Sequence, residues 1–241
     1  MVVTLFNPAS TTPFRLSRSK IDLFVECRRC FYLDRRTGAT RPPSPPFTLN
    51  IAIDELLKRE FDTYRASGTP HPLMVENGLD AVPFTHDQLD AWRDSLHRGV
   101  RAVHEPTGFE VTGGIDDVWV DSAGRLIVVD YKATAKQGKV SLDAPWQDRY
   151  RRQVEVYQWL FRQNGFEVAD TAYFVYVNGD LSAAAFDNRL SFSPSLLPHV
   201  GNTDWIVPAL EAARATLSSD VPPEPTPGCK HCVFLSKAGV L

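Results

Sequence analysis

Gly113-Gly114-Ile115-Asp116 and Val128-Val129-Asp130-Tyr131-Lys132, followed by Gln153-Val154-Glu155-Val156-Tyr157, are the segments on which the reading of this 241-residue chain turns. In the first, two glycines lead into a carboxylate. In the second, an apolar run ends in a carboxylate and an amine separated by one residue. Side chains alternate across a strand, so Asp130 and Lys132 share a face, and Asp117 points away from the face of its neighbour Asp116. An acid able to hold a divalent cation then stands beside an ammonium able to orient a water or neutralise developing negative charge. That combination is the minimum equipment for phosphodiester hydrolysis.

Outward from these segments, local pattern divides the chain. A helix capped by Ser17 or Ser19 carries Ile21, Phe24 and Val25 at helical spacing and runs toward Cys27 and Cys30. Arg41-Pro42-Pro43-Ser44-Pro45-Pro46 cannot be helical and reads as a stiff connector. From about 49 to 65, Ile53, Leu56, Leu57, Phe61 and Tyr64 predict an amphipathic helix ended by Ser67-Gly68-Thr69-Pro70, and a weaker pattern predicts a helix over about 87–98. Strand-like runs cover 100–104, 110–121 and 126–132, with Ser122-Ala123-Gly124 as a hairpin turn. Pro145 suits a first helical position, opening a helix to about Asn164 that Gly165 terminates. A strand follows at 172–177. Asn178-Gly179 signals a tight turn from which 182–192 returns antiparallel. A last helix spans about 205–217, and the proline-rich 222–227 leads to Cys229 and Cys232.

Helix, three strands, helix and strand, with acids on the second and third strands, resembles the core of the PD-(D/E)XK nuclease superfamily. The segments Gly113-x-Ile115-Asp116, Asp130-Tyr131-Lys132 and Gln153-x-x-x-Tyr157 resemble its RecB-like branch. The fold this implies is α/β: a restriction-endonuclease-like αβββαβ core with a mixed central sheet over 49–192. To it are added an N-terminal segment 1–48 and a C-terminal segment 193–241, joined by a four-cysteine metal centre, in one structural domain overall. The activity implied is that of a Mg²⁺/Mn²⁺-dependent deoxyribonuclease acting at DNA ends or single strands, in repair, recombination or defence. DNA is the partner this implies, with a helicase or an integrase as candidate protein partners.

Gln153 and Tyr157 lie four apart on a helix and share one face; in the resembling family this pair lines the site. The family also has a metal ligand, commonly His, on the helix before the sheet. In Asn50-Ile51-Ala52-Ile53-Asp54-Glu55-Leu56-Leu57, Asp54 takes that place, at the edge of the apolar arc, while Glu55 faces solvent. An oxygen ligand there suits Mg²⁺ or Mn²⁺. The expected site therefore has Asp54, Asp116, Asp130 and the Tyr131 carbonyl as metal ligands, and Asp116, Asp130, Lys132, Gln153 and Tyr157 as catalytic residues. Clustered acids raise one another's pKa unless a cation relieves them.

Cys27-x-x-Cys30 and Cys229-x-x-Cys232 use all four cysteines. Paired thiols at this spacing favour a metal or cluster over disulfides. The segment from Ser17 to Tyr32 and the tail Cys229-Lys230-His231-Cys232 resemble those of CRISPR-associated and helicase-nuclease relatives with a [4Fe-4S] cluster, and that resemblance implies the cluster here. In those relatives one cysteine precedes the core and three follow it; here the partition is two and two. Two such knuckles are also a common recipe for tetrahedral Zn²⁺.

Composition sets the remaining bounds. With 43% hydrophobic and 23% charged residues the chain reads as a globular protein, and with no long apolar run or secretory pattern it reads as cytoplasmic. A net charge of -3 argues against coating nucleic acid by bulk electrostatics. The basic residues are grouped, however: Arg28, Arg29, Arg35, Arg36 and Arg41; then Lys132, Lys136 and Lys139; then Arg149, Arg151 and Arg152. Lys136, Arg149 and Arg152 are the candidate nucleic-acid contacts. None of the six histidines has a sequence partner that makes it a catalytic base, and the tryptophans and Tyr173-Phe174-Val175-Tyr176 read as core. Two other readings stand beside the nuclease: a catalytically weak nucleic-acid-binding module on the same fold, and a structural zinc protein, which leaves the acids and the lysine without a role.

Overall fold

Phe14-Arg15-Leu16-Ser17 alternates buried with more exposed side chains and forms β1 (Phe14–Ser17) near the head of the computed structural model, which describes residues 4–43, 45 and 47–239. Next come α1 (Arg18–Glu26), α2 (Arg28–Tyr32) and a π-helical turn (Leu33–Thr37), ended by Gly38 in the left-handed conformation at φ +81°. The proline-rich connector follows, of which Ser44 and Pro46 lie outside the described residues. After it come α3 (Thr48–Ser67), α4 (Pro72–Glu76), β2 (Ala81–Pro83), α5 (Leu89–Arg93), β3 (Val100–His104), β4 (Phe109–Gly113), β5 (Asp117–Asp121) and β6 (Leu126–Thr134). A 3₁₀ turn (Pro145–Gln147) opens α6 (Asp148–Gln163), and β7 (Thr171–Gly179), β8 (Phe192–Val200), α7 (Ile206–Ser218) and α8 (Lys230–Lys237) complete the order. No helix among the described residues is long and apolar enough to cross a membrane.

The chain forms two compact units. The first is assembled from Met1–Pro45, Arg101–Thr112 and Asp204–Leu241. Its sheet has the order β1-β4-β3, with β1 parallel to β4 in the register Phe14↔Phe109 to Ser17↔Thr112. The rings of Phe6 and Phe14 meet edge to face at 5.3 Å beside it.

The second unit comprises Pro46–Val100 and Gly113–Thr203, and its five-stranded sheet runs β2-β5-β6-β7-β8. β2 and β5, β5 and β6, and β7 and β8 pair antiparallel, whereas β6 and β7 pair parallel with α6 as the crossover between them. The sheet is therefore mixed. Its β6 is buried from Leu126 to Tyr131, as a central strand covered on both faces requires. Phe61 of α3 stacks on Trp119 of β5 at 5.3 Å, both without exposed surface, each contributing ~1.5–3 kcal/mol of apolar burial. On α6 every residue from Val154 to Phe161 is buried, including two polar ones with partners. Glu155 meets His199 at 2.8 Å, and Gln158 donates to the carbonyls of Ala169 and Asp170.

Several sequence expectations need correction, the simplest being that 205–217 does not hold the last helix, since α8 follows at Lys230–Lys237. The run 110–121 is not one strand: β4 ends at Gly113 and lies in the three-stranded sheet, while β5 begins at Asp117 in the other. The break falls where Ile115 donates its N–H to the Trp92 carbonyl at 3.1 Å instead of to a strand. Asn178-Gly179 is not the hairpin turn. Both residues lie within β7, paired with Ser193 and Phe192, and the return strand is β8 after an intervening loop. The Asn178 amide bonds both the N–H and the carbonyl of Lys136, at 2.9 Å each, which extends β7 by two residues. The helix expected over 87–98 covers only Leu89–Arg93, because the Asp94 carboxylate takes the His97 N–H at 3.1 Å and competes with helical bonding.

Candidate active site

All the expected acidic-site residues belong to the second unit. Strand β6 carries Asp130 and Lys132 on one face, and they form an ion pair. Asp130 has no exposed surface, and its carboxylate meets the Lys132 ammonium directly. The Lys132 ammonium also reaches the Tyr131 carbonyl at 3.4 Å and lies 4.7 Å from the centre of the Tyr150 ring, a cation–π contact. Burial works to lower the Lys132 pKa, but the charges of Asp130 and Asp116 outweigh it and hold the amine above its ordinary value. Lys132 therefore stays protonated beside these acids in the metal-free protein.

Asp116 sits in the bend before β5 and accepts the Tyr131 backbone N–H at 2.9 Å. Burial, and after it the charge of Asp130, pushes its carboxyl up to about 6. Asp54, half-buried on α3, is also raised, first by burial and then by Asp116, although Lys58 one turn on donates to it at 2.6 Å. The three acids share one electrostatic neighbourhood. Among the described residues, only the four cysteines bring three or more Cys, His, Asp or Glu ligand atoms within 4.8 Å of one another. The acids stand further apart, as unrelieved carboxylates do, each held by its own donor or cation. A cleft of about 200 Å³ opens beside them, lined by Asn50, Asp54, Tyr131, Lys132 and Tyr150 among others.

The two glycines are set by close approaches. A Cβ on Gly113 would lie 2.5 Å from Cε1 of Tyr157, and one on Gly114 would overlap Ser95. Tyr157 itself is buried and accepts a bond from the Gln153 amide at 3.1 Å, so the expected i, i+4 pair is joined. Gly113→Ala is expected to displace the Tyr157 ring and cost ~1–3 kcal/mol, read as a fall in melting temperature of several degrees. Adding Tyr157→Leu should return most of that loss; if the two effects simply add, the approach is not what selects glycine.

Asp117 does point away from Asp116, into a buried network that the sequence did not reveal. Its Oδ1 accepts Arg65, in a short ion pair, and Arg93 at 3.0 Å; its Oδ2 accepts Trp119 Nε1 at 3.1 Å and the Tyr131 hydroxyl at 2.9 Å. Asp62 binds the same two arginines, and Arg93 also donates to the Asp116 carbonyl at 3.1 Å. The network fixes Asp116 and Tyr131 from behind. Lys58 could have been found from its i+4 spacing to Asp54. Arg65 and Arg93 had no local signal.

Of the candidate nucleic-acid contacts, Lys136 and Arg149 are exposed and Arg152 is half-buried, while Arg151 is tied to Asp148 and the Leu142 carbonyl. The N-terminal arginines are engaged within their own unit: Arg29 with the Pro223 carbonyl, Arg35 with Asp34, Arg36 with Asp220, and Arg41 with Glu26 and Cys229. Trp146 corrects the expectation that the tryptophans are core. It is 59% exposed, edge to face with Tyr150.

With this geometry in view, the family follows from the match of residues 15–236 to the model of the PD-(D/E)XK nuclease superfamily. The chain belongs to that superfamily. PD-(D/E)XK proteins are usually phosphodiester-cleaving nucleases that use divalent metals. No curated protein matches the chain. A solved structure titled "Crystal structure of SSO0001" aligns over 94% of this chain and 86% of its own, at 16% identity and a TM-score of 0.42.

The first unit of this PD-(D/E)XK protein gathers the four cysteines, none in a disulfide. Cys27 and Cys229 each precede a helix, α2 and α8, and Cys30 and Cys232 occupy the first turns. Burial works to raise Cys27, but backbone N–H groups of Cys30 and Thr226 bring it down to about 6, whereas burial pushes Cys30 up to about 11. Such a set can hold a metal, whose charge would let all four thiols ionise.

Proposed function

We propose that this chain is a metal-dependent nuclease of the RecB-like branch that hydrolyses DNA phosphodiester bonds at ends or in single strands. The observation that carries the reading is the grouping of the fully buried Asp130 carboxylate, ion-paired to Lys132, with Asp116 and Asp54, whose carboxyls are both raised. Among the described residues Lys132 pairs with Asp130 and Lys58 with Asp54, while Asp116 stays raised; a bound cation would relieve it. Asp54, Asp116, Asp130 and the Tyr131 carbonyl are the oxygen donors that would hold Mg²⁺ or Mn²⁺. The ion, when bound, supplies a more acidic water and neutralises charge on the phosphate.

The remaining work falls to the chain's own groups. Lys132, held by Asp130 and the Tyr150 ring, keeps a positive charge at the cleft wall, where it can orient the attacking water or offset the charge growing on the phosphate. Lys58 pairs with Asp54 in the free protein and would be released if a cation took that carboxylate. Gln153, bonded to Tyr157, holds that hydroxyl in one orientation. Lys136, Arg149 and Arg152 offer phosphate contacts, and Trp146 offers a face on which a base of an unpaired strand can stack.

The test is cleavage of end-labelled single-stranded DNA, duplex DNA and RNA with Mg²⁺ or Mn²⁺. Asp130→Asn and Lys132→Met should lower the rate by ~10²–10³-fold. Wild-type protein that cuts no DNA faster than these variants would sink the nuclease reading. Retention of DNA in EDTA by such an inactive protein would move the assignment to a binding module on the nuclease fold.

A further inference from the structure

We propose that the four cysteines bind a single tetrahedral Zn²⁺ ion that fastens the two ends of the first unit, and not a four-iron cluster. The sulfur spacing carries the proposal. Cys27 Sγ lies 3.8 Å from Cys232 Sγ, and Cys30 Sγ lies 3.7 Å from Cys229 and 3.5 Å from Cys232. A Zn–S bond of about 2.3 Å in a regular tetrahedron sets a sulfur-to-sulfur edge of about 3.8 Å. The observed separations match that edge, and all four sulfurs lie within 4.8 Å of one another.

A cubane cluster asks for something else. Each thiolate binds a different iron at a separate corner, with irons and sulfides between the thiolates, so the four sulfurs must spread well beyond contact distance. Sulfurs at 3.5–3.8 Å are already touching. A cavity of about 440 Å³ lies beside the knuckles, but Cys229 is the only cysteine lining it, so this space is outside the sulfur tetrahedron. The iron–sulfur centre that the resemblance implies does not fit this arrangement.

The ligand set also reads as closed. Four sulfurs with no carboxylate or imidazole in the group complete a tetrahedron, which is the composition of a structural rather than a catalytic site. Arg41 donates to Cys229 Sγ at 3.5 Å and to Glu26 at 2.9 Å, offsetting part of the excess negative charge of a zinc ion held by four thiolates. Residues 205 apart in sequence are joined by the ion, which ties α1 and α2 to α8 after the coil that precedes Cys229. The proposal rests on the sulfurs alone and stands whether or not the chain cleaves DNA.

The experiment is metal and acid-labile sulfide analysis of the full chain, purified anaerobically from cells supplied with both iron and zinc. One zinc per chain, no sulfide and no visible thiolate-to-iron absorption are expected. Cobalt substitution should give the intense visible bands of a tetrahedral thiolate site, and stripping the metal with a strong chelator should lower the melting temperature by roughly 10 °C or more. Cys229→Ser, at the most exposed of the four positions, should lose most of the zinc. Should that variant fail to fold, the wild-type stoichiometry and the cobalt spectrum still decide. Iron and sulfide near four each per chain, or no bound metal, would overturn the proposal.

Discussion

Asp117→Asn should destabilise the protein more than any other single exchange near the site, by about 3–5 kcal/mol, seen as a melting temperature lower by roughly 10 °C or more. The carboxylate is fully buried, and all four of its partners, Arg65, Arg93, Trp119 and Tyr131, donate to it. An amide in its place turns an NH₂ toward donors whichever way it is flipped, and it removes the negative charge that two buried guanidinium groups share. Asp62 binds the same arginines but is 42% exposed, so Asp62→Asn should cost much less. Equal losses at the two positions would show that Asp117 is not the anchor. Because the network also holds the Asp116 carbonyl through Arg93 and the Tyr131 hydroxyl, residual folded Asp117→Asn protein should cleave poorly.

Asp116→Asn is expected to do the opposite to stability while removing activity. Burial and the neighbouring Asp130 raise the Asp116 carboxyl from 3.8 to about 6 in the folded, metal-free protein. The proton it then holds favours the fold. That contribution is complete below about pH 4 and is lost as pH rises through about 6, a difference of ~2–3 kcal/mol. At pH 7.5 in EDTA the wild-type protein carries an unrelieved charge that asparagine abolishes, while its side-chain oxygen can still accept the Tyr131 N–H. The variant should therefore melt about 5 °C higher than wild type at pH 7.5 and show no gain at pH 4.5. Mg²⁺ or Mn²⁺ should raise the melting temperature of wild type but not of the variant, whose cleavage should fall by ~10²–10³-fold. A variant that melts below wild type in EDTA at pH 7.5 would mean that the carboxylate is well compensated without a cation.

Much of the site could be read from neighbouring residues. Strand alternation placed Asp130 and Lys132 on one face, the i, i+4 rule joined Gln153 to Tyr157, and helical periodicity put Asp54 at the edge of a buried arc. Failures came where a local signal was overridden by a distant partner. Asn178-Gly179 has turn chemistry, yet Asn178 bonds the Lys136 backbone and stays in β7. The 110–121 run has strand character, yet Trp92 and Ser95 bend it at Gly114 and Ile115.

The local pattern of the chain was enough to set the longer helices and strands, the faces of the acids and lysine, and the presence of two thiol knuckles, because each depends on residues within one or two turns; it missed β1, α4, β2 and α8. It could not say that Asp117 would be held by arginines 52 and 24 residues away, nor that sulfurs 205 residues apart would touch. Those meetings depend on how whole helices and strands pack within each unit. Sequence periodicity specifies which face a side chain occupies, while only packing specifies what that face meets.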